Sequence, residues 1–428
     1  MVSPLFPYSL LNTNSKPSNL DCSKYKTDMD VIDSLPFYID IALKDPDSNH
    51  TDQSNETIIY RTWAEYNVKT QEIQNLTLFH EDREQSLNIF CLKHLHTLAL
   101  SHVNWSIPSD IQNLKSSVKK LLIIHNHGLS TLPSEIDQLQ SLEYLVLLHT
   151  SIRYLPYTVR NLKKLIYLDI SYSNLVVLPT FIYQMYPALE FLILEQNHLK
   201  HLPHNVRRLT ETNLNTLDLS ANPELGTLKG VEAFKNLTSL SLDRCRLKQM
   251  PAEIFQLRAL KILSIQQNQL RDVPFASLAN LTHLETLHLS NNEIQNLTDI
   301  GKLKSLTKLD LSNNSIVEIP LEIISLNSTL IELDLSNNNL TSIPNQLVNM
   351  TKLKTLRLKG NQFSPEELKK IKSNKFVHDA NVVHIDDIST PSPPATNGSL
   401  TTATQVEPKT MTSAAHLPVP LASSSPAA

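Results

Sequence analysis

Glycine is scarce in this 428-residue chain: six residues, none of them in a GxxxxGK[ST] or GxGxxG arrangement. A loop that wraps a phosphate in backbone amides needs glycines at such spacings, so nucleotide loops of these kinds are excluded. Cysteine is scarcer still. Cys22, Cys91 and Cys245 have the spacing of neither a disulfide framework nor a zinc site, which points to a reducing compartment. The charge is nearly balanced, 38 Lys and Arg against 42 Asp and Glu for a net of -4, so no basic excess is there to hold nucleic acid or an anionic membrane. No stretch approaches the ~20 apolar residues of a membrane span. The opening segment has no basic residue before Lys16 and is interrupted by Pro4 and Pro7, a poor match to a signal peptide. Sequons such as Asn236-Leu-Thr and Asn349-Met-Thr carry little weight without one. HExxH and CxxC are missing, and Ser, His and Asp follow a repeat without forming a nucleophile–base pair. The expectation is a protein that is not an enzyme and uses no cofactor.

What is present is a period. The segment from Leu189 through Leu192, Leu194, Asn197, Leu199 and Leu202 to Pro203 recurs along the chain. Its first position falls at Leu95, Val118, Leu142, Leu165, Leu189, Leu214, Leu237, Leu260, Leu284, Leu306, Leu330 and Leu353, twelve copies at steps of 22 to 25 residues. Ile73, 22 residues before Leu95, opens a degenerate further copy. Alternating leucines in LxxLxL send their side chains to one face of a short strand and the residues between them to the other. A single unit cannot bury its own apolar face, so stacked neighbours must supply the opposite wall.

With its pattern LxxLxLxxNxLxxLP over roughly residues 73–371, the chain resembles the leucine-rich repeat family. The resemblance implies an α/β solenoid, a horseshoe with a parallel β-sheet on the concave face and short helical or extended convex segments. It also implies an asparagine ladder at the ninth position, through Asn197, Asn222, Asn268, Asn292, Asn314, Asn338 and Asn361. Thr150, Ser173 and Cys245 depart from it, and looser turns are expected there. Prolines such as Pro133, Pro156 and Pro251 close the aliphatic turn of most copies; the copies with Leu228-Lys229 and Leu297-Thr298 lack one and are expected to return differently.

Four regions follow: 1–72, an N-terminal extension or cap, partly disordered; 73–363, the repeats; 364–388, a capping helix and extension; and 389–428, a disordered Ser/Thr/Pro/Ala tail. Pro36 to Leu43 and Ile58 to Tyr66 are the candidate cap elements, separated by a polar stretch, and Ser364-Pro365 is a helix start.

Three constellations invite a functional reading. His102, His125 and His149 share the eighth position of consecutive copies and should form a column, a weak candidate for metal binding because no carboxylate or cysteine completes a ligand set. Arg271-Asp-Val-Pro-Phe275 loosely resembles a phosphatase-docking motif, but Val273 is the repeat's own core aliphatic. The strongest is the third position, which holds Tyr144, Tyr167 and Phe191 in successive copies, with Val146, Leu148, Ile166, Tyr172 and Ile193 extending an apolar patch. Further along, Asp218, Asp243, Glu285, Asp310, Glu332 and Asp334 make the same face acidic, partly offset by Arg244, Lys308 and Arg357. This face is the expected partner-binding surface. Copies of this length ending in LP are similar to Ras-group repeat proteins and Ras–Raf or scribble-like scaffolds. That similarity implies a cytoplasmic scaffold or adaptor in signalling whose protein partner is a small GTPase or phosphatase. The alternative is an extracellular or receptor-type recognition domain.

Overall fold

The computed structural model describes residues 20–35, 37–44, 61–80, 84–115, 117–183, 188–203, 213–373 and 382–384. The expected disordered tail, the whole polar stretch from Asp45 to Glu56, and Pro36 and residues 58–60 of the candidate cap elements lie outside the described residues.

Among the described residues the repeats stack as one sheet of 16 strands in sequence order. The repeat strands are β3 (Glu72–Phe79), β4 (Thr97–Ser101), β5 (Lys120–Asn126), β6 (Tyr144–Thr150), β7 (Tyr167–Asp169), β8 (Phe191–Ile193), β9 (Thr216–Asp218), β10 (Ser239–Ser241), β11 (Ile262–Ser264), β12 (Thr286–His288), β13 (Lys308–Asp310), β14 (Glu332–Asp334) and β15 (Thr355–Arg357). All pair in parallel, and each places its fourth-position residue opposite that of the next, as Leu168 opposite Leu192 and Leu192 opposite Leu217. β3 joins β4 in the same phase, with Leu76 opposite Leu98, so the coil beginning at Ile73 belongs to the array.

Strands this short survive because their inward leucines are removed from water by both neighbours. Leu214, Leu217 and Leu219 are at most 2% exposed, and the pattern repeats through Leu353, Leu356 and Leu358. At roughly 1.5–3 kcal/mol for each buried leucine, stacking is the main stabilising contribution.

The ninth-position asparagines tie coil to coil. Asn292 Nδ2 donates to the carbonyls of Ile265 (2.9 Å), Leu289 (3.0 Å) and Ser290 (3.3 Å), while its Oδ1 accepts from the Leu270 amide at 3.1 Å. Asn126, also at this position, donates to the Trp105 carbonyl at 2.9 Å. Two expected loose rungs are filled instead, because two short hydroxyls together span what one asparagine does. Thr150 Oγ1 and Ser173 Oγ lie 2.9 Å apart, and Ser173 also accepts from the Thr150 amide and reaches the Leu147 carbonyl. Cys245 contributes only a weak thiol donor, 3.3 Å from the Leu219 carbonyl.

Among the described residues most strands are followed by a short 3-10 turn that usually follows proline, as in Ser134–Gln138, Tyr157–Asn161 and Ala252–Gln256. The two coils without proline enter their turns differently, through left-handed residues: Gly230 at φ 104° and Asp299 at φ 70°. Gly301 follows in the second, where a Cβ would lie 2.3 Å from the Glu322 carbonyl oxygen, so only glycine lets these coils approach.

The N-terminal end is more built than the sequence suggests. Helix α1 (Asp28–Asp33) is closed by a capping box between Thr27 and Asp30, and it buries Val31 and Ile32. The buried Asp28 carboxylate accepts from the Ile73 amide at 2.9 Å, fixing the helix to the first coil. β1 (Asp40–Lys44) pairs in parallel with β2 (Trp63–Asn67), which turns back antiparallel onto β3. A disulfide joins Cys22 to Cys91, which corrects the expectation drawn from cysteine spacing. The two lie 69 residues apart with Cα atoms 5.3 Å apart; only the docking of the N-terminal segment against the first return turn brings them together. Closing a loop of this length contributes roughly 4 kcal/mol in the chain-entropy account. Between β11 and β12 the helix α2 (Phe275–Leu278) serves as a return segment, and at the other end α3 (Pro365–Ser373) follows Ser364, whose Oγ accepts from the Glu367 amide at 3.1 Å.

If the asparagine rungs hold the turns, Asn292→Ala leaves several buried carbonyls and an amide without partners and lowers the unfolding free energy by roughly 3 kcal/mol. Cys245→Asn completes a rung and raises it by about 1 kcal/mol. Urea unfolding followed by circular dichroism measures both; equal stabilities for both variants and the parent would contradict this role.

Candidate protein interface

On the side of the sheet facing away from the leucines, the third position forms a continuous row across adjacent strands: Lys120, Tyr144, Tyr167 and Phe191 are successive register partners. The Tyr144 and Tyr167 rings have centroids 5.8 Å apart, and Tyr167 and Phe191 5.9 Å, the ordinary range for offset aromatic contacts. Lys120 Nζ lies 4.9 Å from the Tyr144 centroid and closes the row with a cation–π contact. Val146, Leu148, Ile166 and Ile193 are half-buried around it. Tyr172 stands elsewhere. Its ring is tilted against His149 at 4.5 Å, and its hydroxyl donates to Glu195 Oε1 at 3.1 Å.

That second row occupies the eighth position and is longer than the three histidines expected there. His80, His102, His125, His149 and Tyr172 line up at centroid separations of 4.9, 4.5, 4.3 and 4.5 Å, stacked at His125–His149 and tilted elsewhere. His80 was legible from the phase of the coil beginning at Ile73. All five have φ between 52° and 58°. The same left-handed turn recurs at Gln196, Ala221, Arg244, Gln267, Asn291, Asn313 and Asn337, because the chain leaves the strand there at every coil. Burial, then the neighbouring histidines, push the pKa values of His102, His125 and His149 down, which favours neutral rings. The planes of His125 and His149 are 11° from parallel, so their in-plane lone pairs do not converge on a shared point. Among the described residues no group of three His, Cys, Asp or Glu is arranged to hold a metal.

The acidic residues divide into two sets. Toward the C-terminal end each faces a basic side chain one coil away: Asp310 faces His288 (3.9 Å), Glu332 Lys308 (3.5 Å), Asp334 Arg357 (3.7 Å) and Glu285 Lys261 (3.9 Å). Burial raises the Asp310 pKa, but hydrogen bonds from His288 and Ser312 outweigh it and hold the carboxyl below its usual range. In the middle coils the carboxylates meet hydroxyls and amides. Asp243 accepts from Ser264 Oγ and the Gln266 amide, both at 2.7 Å; Asp218 accepts from the Ser220 amide at 2.8 Å. Asp169 was not among the acids expected on this face, although it shares the fifth position with Asp218. It accepts from the Ser171 amide at 2.9 Å and from the Tyr167 hydroxyl at 3.5 Å. Burial pushes Asp169 above the usual carboxylate range and raises Asp218 to about 6, with nearby Glu195 adding to both. Glu195 itself is paired with Arg244.

A family model described as leucine rich repeat matches residues 235–294 and 304–363. The human volume-regulated anion channel subunit LRRC8A is 32% identical over 120 residues, 27% of this chain and 15% of that protein. The Arabidopsis thaliana protein phosphatase 1 regulatory inhibitor subunit PPP1R7 homolog is 34% identical over 108 residues, 24% of this chain and 33% of its own length. The chain thus spans a third or less of these curated relatives. Among solved structures, a leucine-rich repeat protein of Leptospira interrogans is similar at a TM-score of 0.53 and 27% identity, over 72% of this chain and 92% of that one. An internalin from Listeria monocytogenes, at a TM-score of 0.53 and 18% identity over 76% of this chain and 92% of its own, is a likeness of fold alone. The repeats and the open, mostly parallel sheet are those of a leucine-rich repeat solenoid.

The raised Asp218 pKa has a definite sign in stability. Its carboxyl keeps a proton in the fold up to about 6, whereas the unfolded chain loses it near 3.8, so its contribution is fully present below 3.8 and lost as pH rises through about 6. Asp218→Asn is therefore expected to be more stable than the parent at neutral pH, the gap closing as pH falls toward about 4. The histidine row has the opposite dependence and cancels in this comparison. Denaturant midpoints measured across that range for both proteins check it; a gap independent of pH would contradict the buried, uncompensated carboxylate.

Proposed function

From a leucine-rich repeat solenoid with this face, we propose a protein-binding scaffold or adaptor that seats its partner on the outward side of the sheet, anchored on Tyr144, Tyr167 and Phe191. The observation that carries this reading is the continuous row of three rings across adjacent strands. The inward leucines already close the core, and nothing in that packing calls for aromatic residues here. Aromatic side chains present large, rigid area at little entropic cost and dominate binding hot spots. Val146, Leu148, Ile166 and Ile193 supply an apolar surround, and Tyr172 a polar margin. Asp218, Asp243, Glu285, Asp310, Glu332 and Asp334 give the face its acidic side; since the last four already face basic side chains, the net attraction falls on the middle coils. This reading extends to a role in cytoplasmic signalling with a small GTPase or a phosphatase as partner; the likeness to a protein phosphatase 1 regulatory inhibitor subunit homolog supports the phosphatase.

A second reading of the compartment rests on the Cys22–Cys91 disulfide, since such bridges persist in oxidising surroundings. Asn236, Asn280 and Asn349, each opening a sequon, are exposed and would accept glycans there. This observation favours extracellular recognition over cytoplasmic signalling, while leaving the binding face the same.

Replacing Tyr144, Tyr167 and Phe191 together with alanine is expected to weaken binding of captured partners by ~2 kcal/mol or more without unfolding the array. Affinity capture with quantitative mass spectrometry, and circular dichroism of the variant, measure this; unchanged capture by a folded triple variant would remove the assignment. Alkylation of the native protein without reductant separates the compartments. One accessible-on-unfolding thiol, Cys245, is expected for the oxidised protein, and labelling at Cys22 and Cys91 as well would favour the cytoplasm.

A further inference from the structure

Among the described residues the middle coils hold three carboxylates without a basic partner, Asp169, Asp218 and Asp243, and the first two flank a single apolar residue. Asp169, Ile193 and Asp218 are successive register partners at the fifth position of β7, β8 and β9. Two strand spacings set the two aspartates roughly 10 Å apart with Ile193 between them. On the same strands and the same side, Tyr167 and Phe191 stand at the third position. Glu195 stands at the seventh position of the middle coil, just past β8. No ion pair forms at Asp169 or Asp218 among the described residues, whereas Glu285, Glu332 and Asp334 each have a lysine or arginine one coil away and Asp310 has His288.

Resting on the docking face proposed above, we propose that Asp169 and Asp218, with Ile193 as floor and Tyr167 and Phe191 as one wall, form a seat for an arginine side chain of an extended partner segment. The molecule shows the chemistry twice in its own cations. Lys120 lies over the Tyr144 ring at the end of the same aromatic row, and Arg244 pairs with Glu195, which also accepts from the Tyr172 hydroxyl. Arginine suits the seat better than lysine. A planar guanidinium has donors on opposite edges to meet two separated carboxylates, and its face can lie against an aromatic ring. The flanking residues of such a segment would then fall on Tyr144 and Val146 on one side and on the Ser220 and Ser241 coils on the other. A docked guanidinium would also compensate the charge whose burial holds Asp218 at about 6, so binding should strengthen as pH rises through that value.

The test uses the full chain and two pools of fluorescent seven-residue peptides, with flanking positions drawn from Leu, Tyr and Ala and a central residue of Arg in one pool and Gln in the other. The Arg pool is expected to bind about tenfold more tightly near neutral pH, the size of a charge-assisted pair. Asp169→Asn with Asp218→Asn should abolish that difference, while Tyr144→Ala weakens both pools alike. Should the double variant fail to fold, Asp218→Asn alone is read in the same way and should reduce the difference. Equal binding of both pools, each weakened by Tyr144→Ala, would overturn the arginine seat and leave the docking face standing. An Arg preference that persists in the folded Asn variants, or no binding of the Arg pool, would also overturn the seat.

Discussion

A coil of 22 to 25 residues has to leave its strand, turn and come back, and in doing so it carries backbone polar groups into a core made of leucine. The asparagine at the ninth position resolves this conflict. Its amide donates to carbonyls of its own coil and of the coil before, while its oxygen accepts an amide of that earlier coil, as at Asn222, Asn314 and Asn338. Buried groups that would each cost about 1–3 kcal/mol unpaired become the bonds joining neighbours. These bonds also fix which residue lies beside which. A slip of one residue would exchange the leucine face for the outward one, and every row described above would disappear.

Once register is fixed, the outward side reads as columns whose content is free of the core's demands. The third position carries rings over β6 to β8, the fifth carries Asp169 and Asp218, and the eighth, held left-handed at each turn, carries the row of imidazoles. Charge is distributed unevenly along the array. Later coils set their acids beside basic side chains of an adjacent coil; the middle coils use hydroxyls and amides that orient a carboxylate without cancelling its charge. Apolar rings and uncompensated carboxylates therefore meet on the same few strands.

Most of this fold was legible because a period states long-range contacts in local terms. Knowing that Tyr144, Tyr167 and Phe191 share one position is enough to place their rings side by side. His80 and Asn126 obeyed the same rule and could have been read from it. What lay outside the period was not legible. Cys22 precedes the repeats, so no spacing reveals that α1 docks on the first coil and carries it to Cys91. The strands β1 and β2 likewise extend the sheet without repeating its pattern. Pairing of the later acids depends on side-chain reach between coils, which position numbers only suggest. Uncompensated charge at Asp169 and Asp218 emerges only once those pairs are known.

The central claim is that a partner sits on the outward side of the sheet at the row of aromatic rings. Hydroxyl-radical footprinting of the protein alone and in complex with a captured partner tests it most directly, because the array carries its own control. Tyr154 and Tyr157, 56% and 59% exposed, lie in the return segments on the other side. Protection of Tyr144, Tyr167 and Phe191 in the complex, with Tyr154 and Tyr157 labelled as before, is the predicted result. Protection of Tyr154 and Tyr157 with the three rings unchanged would contradict it.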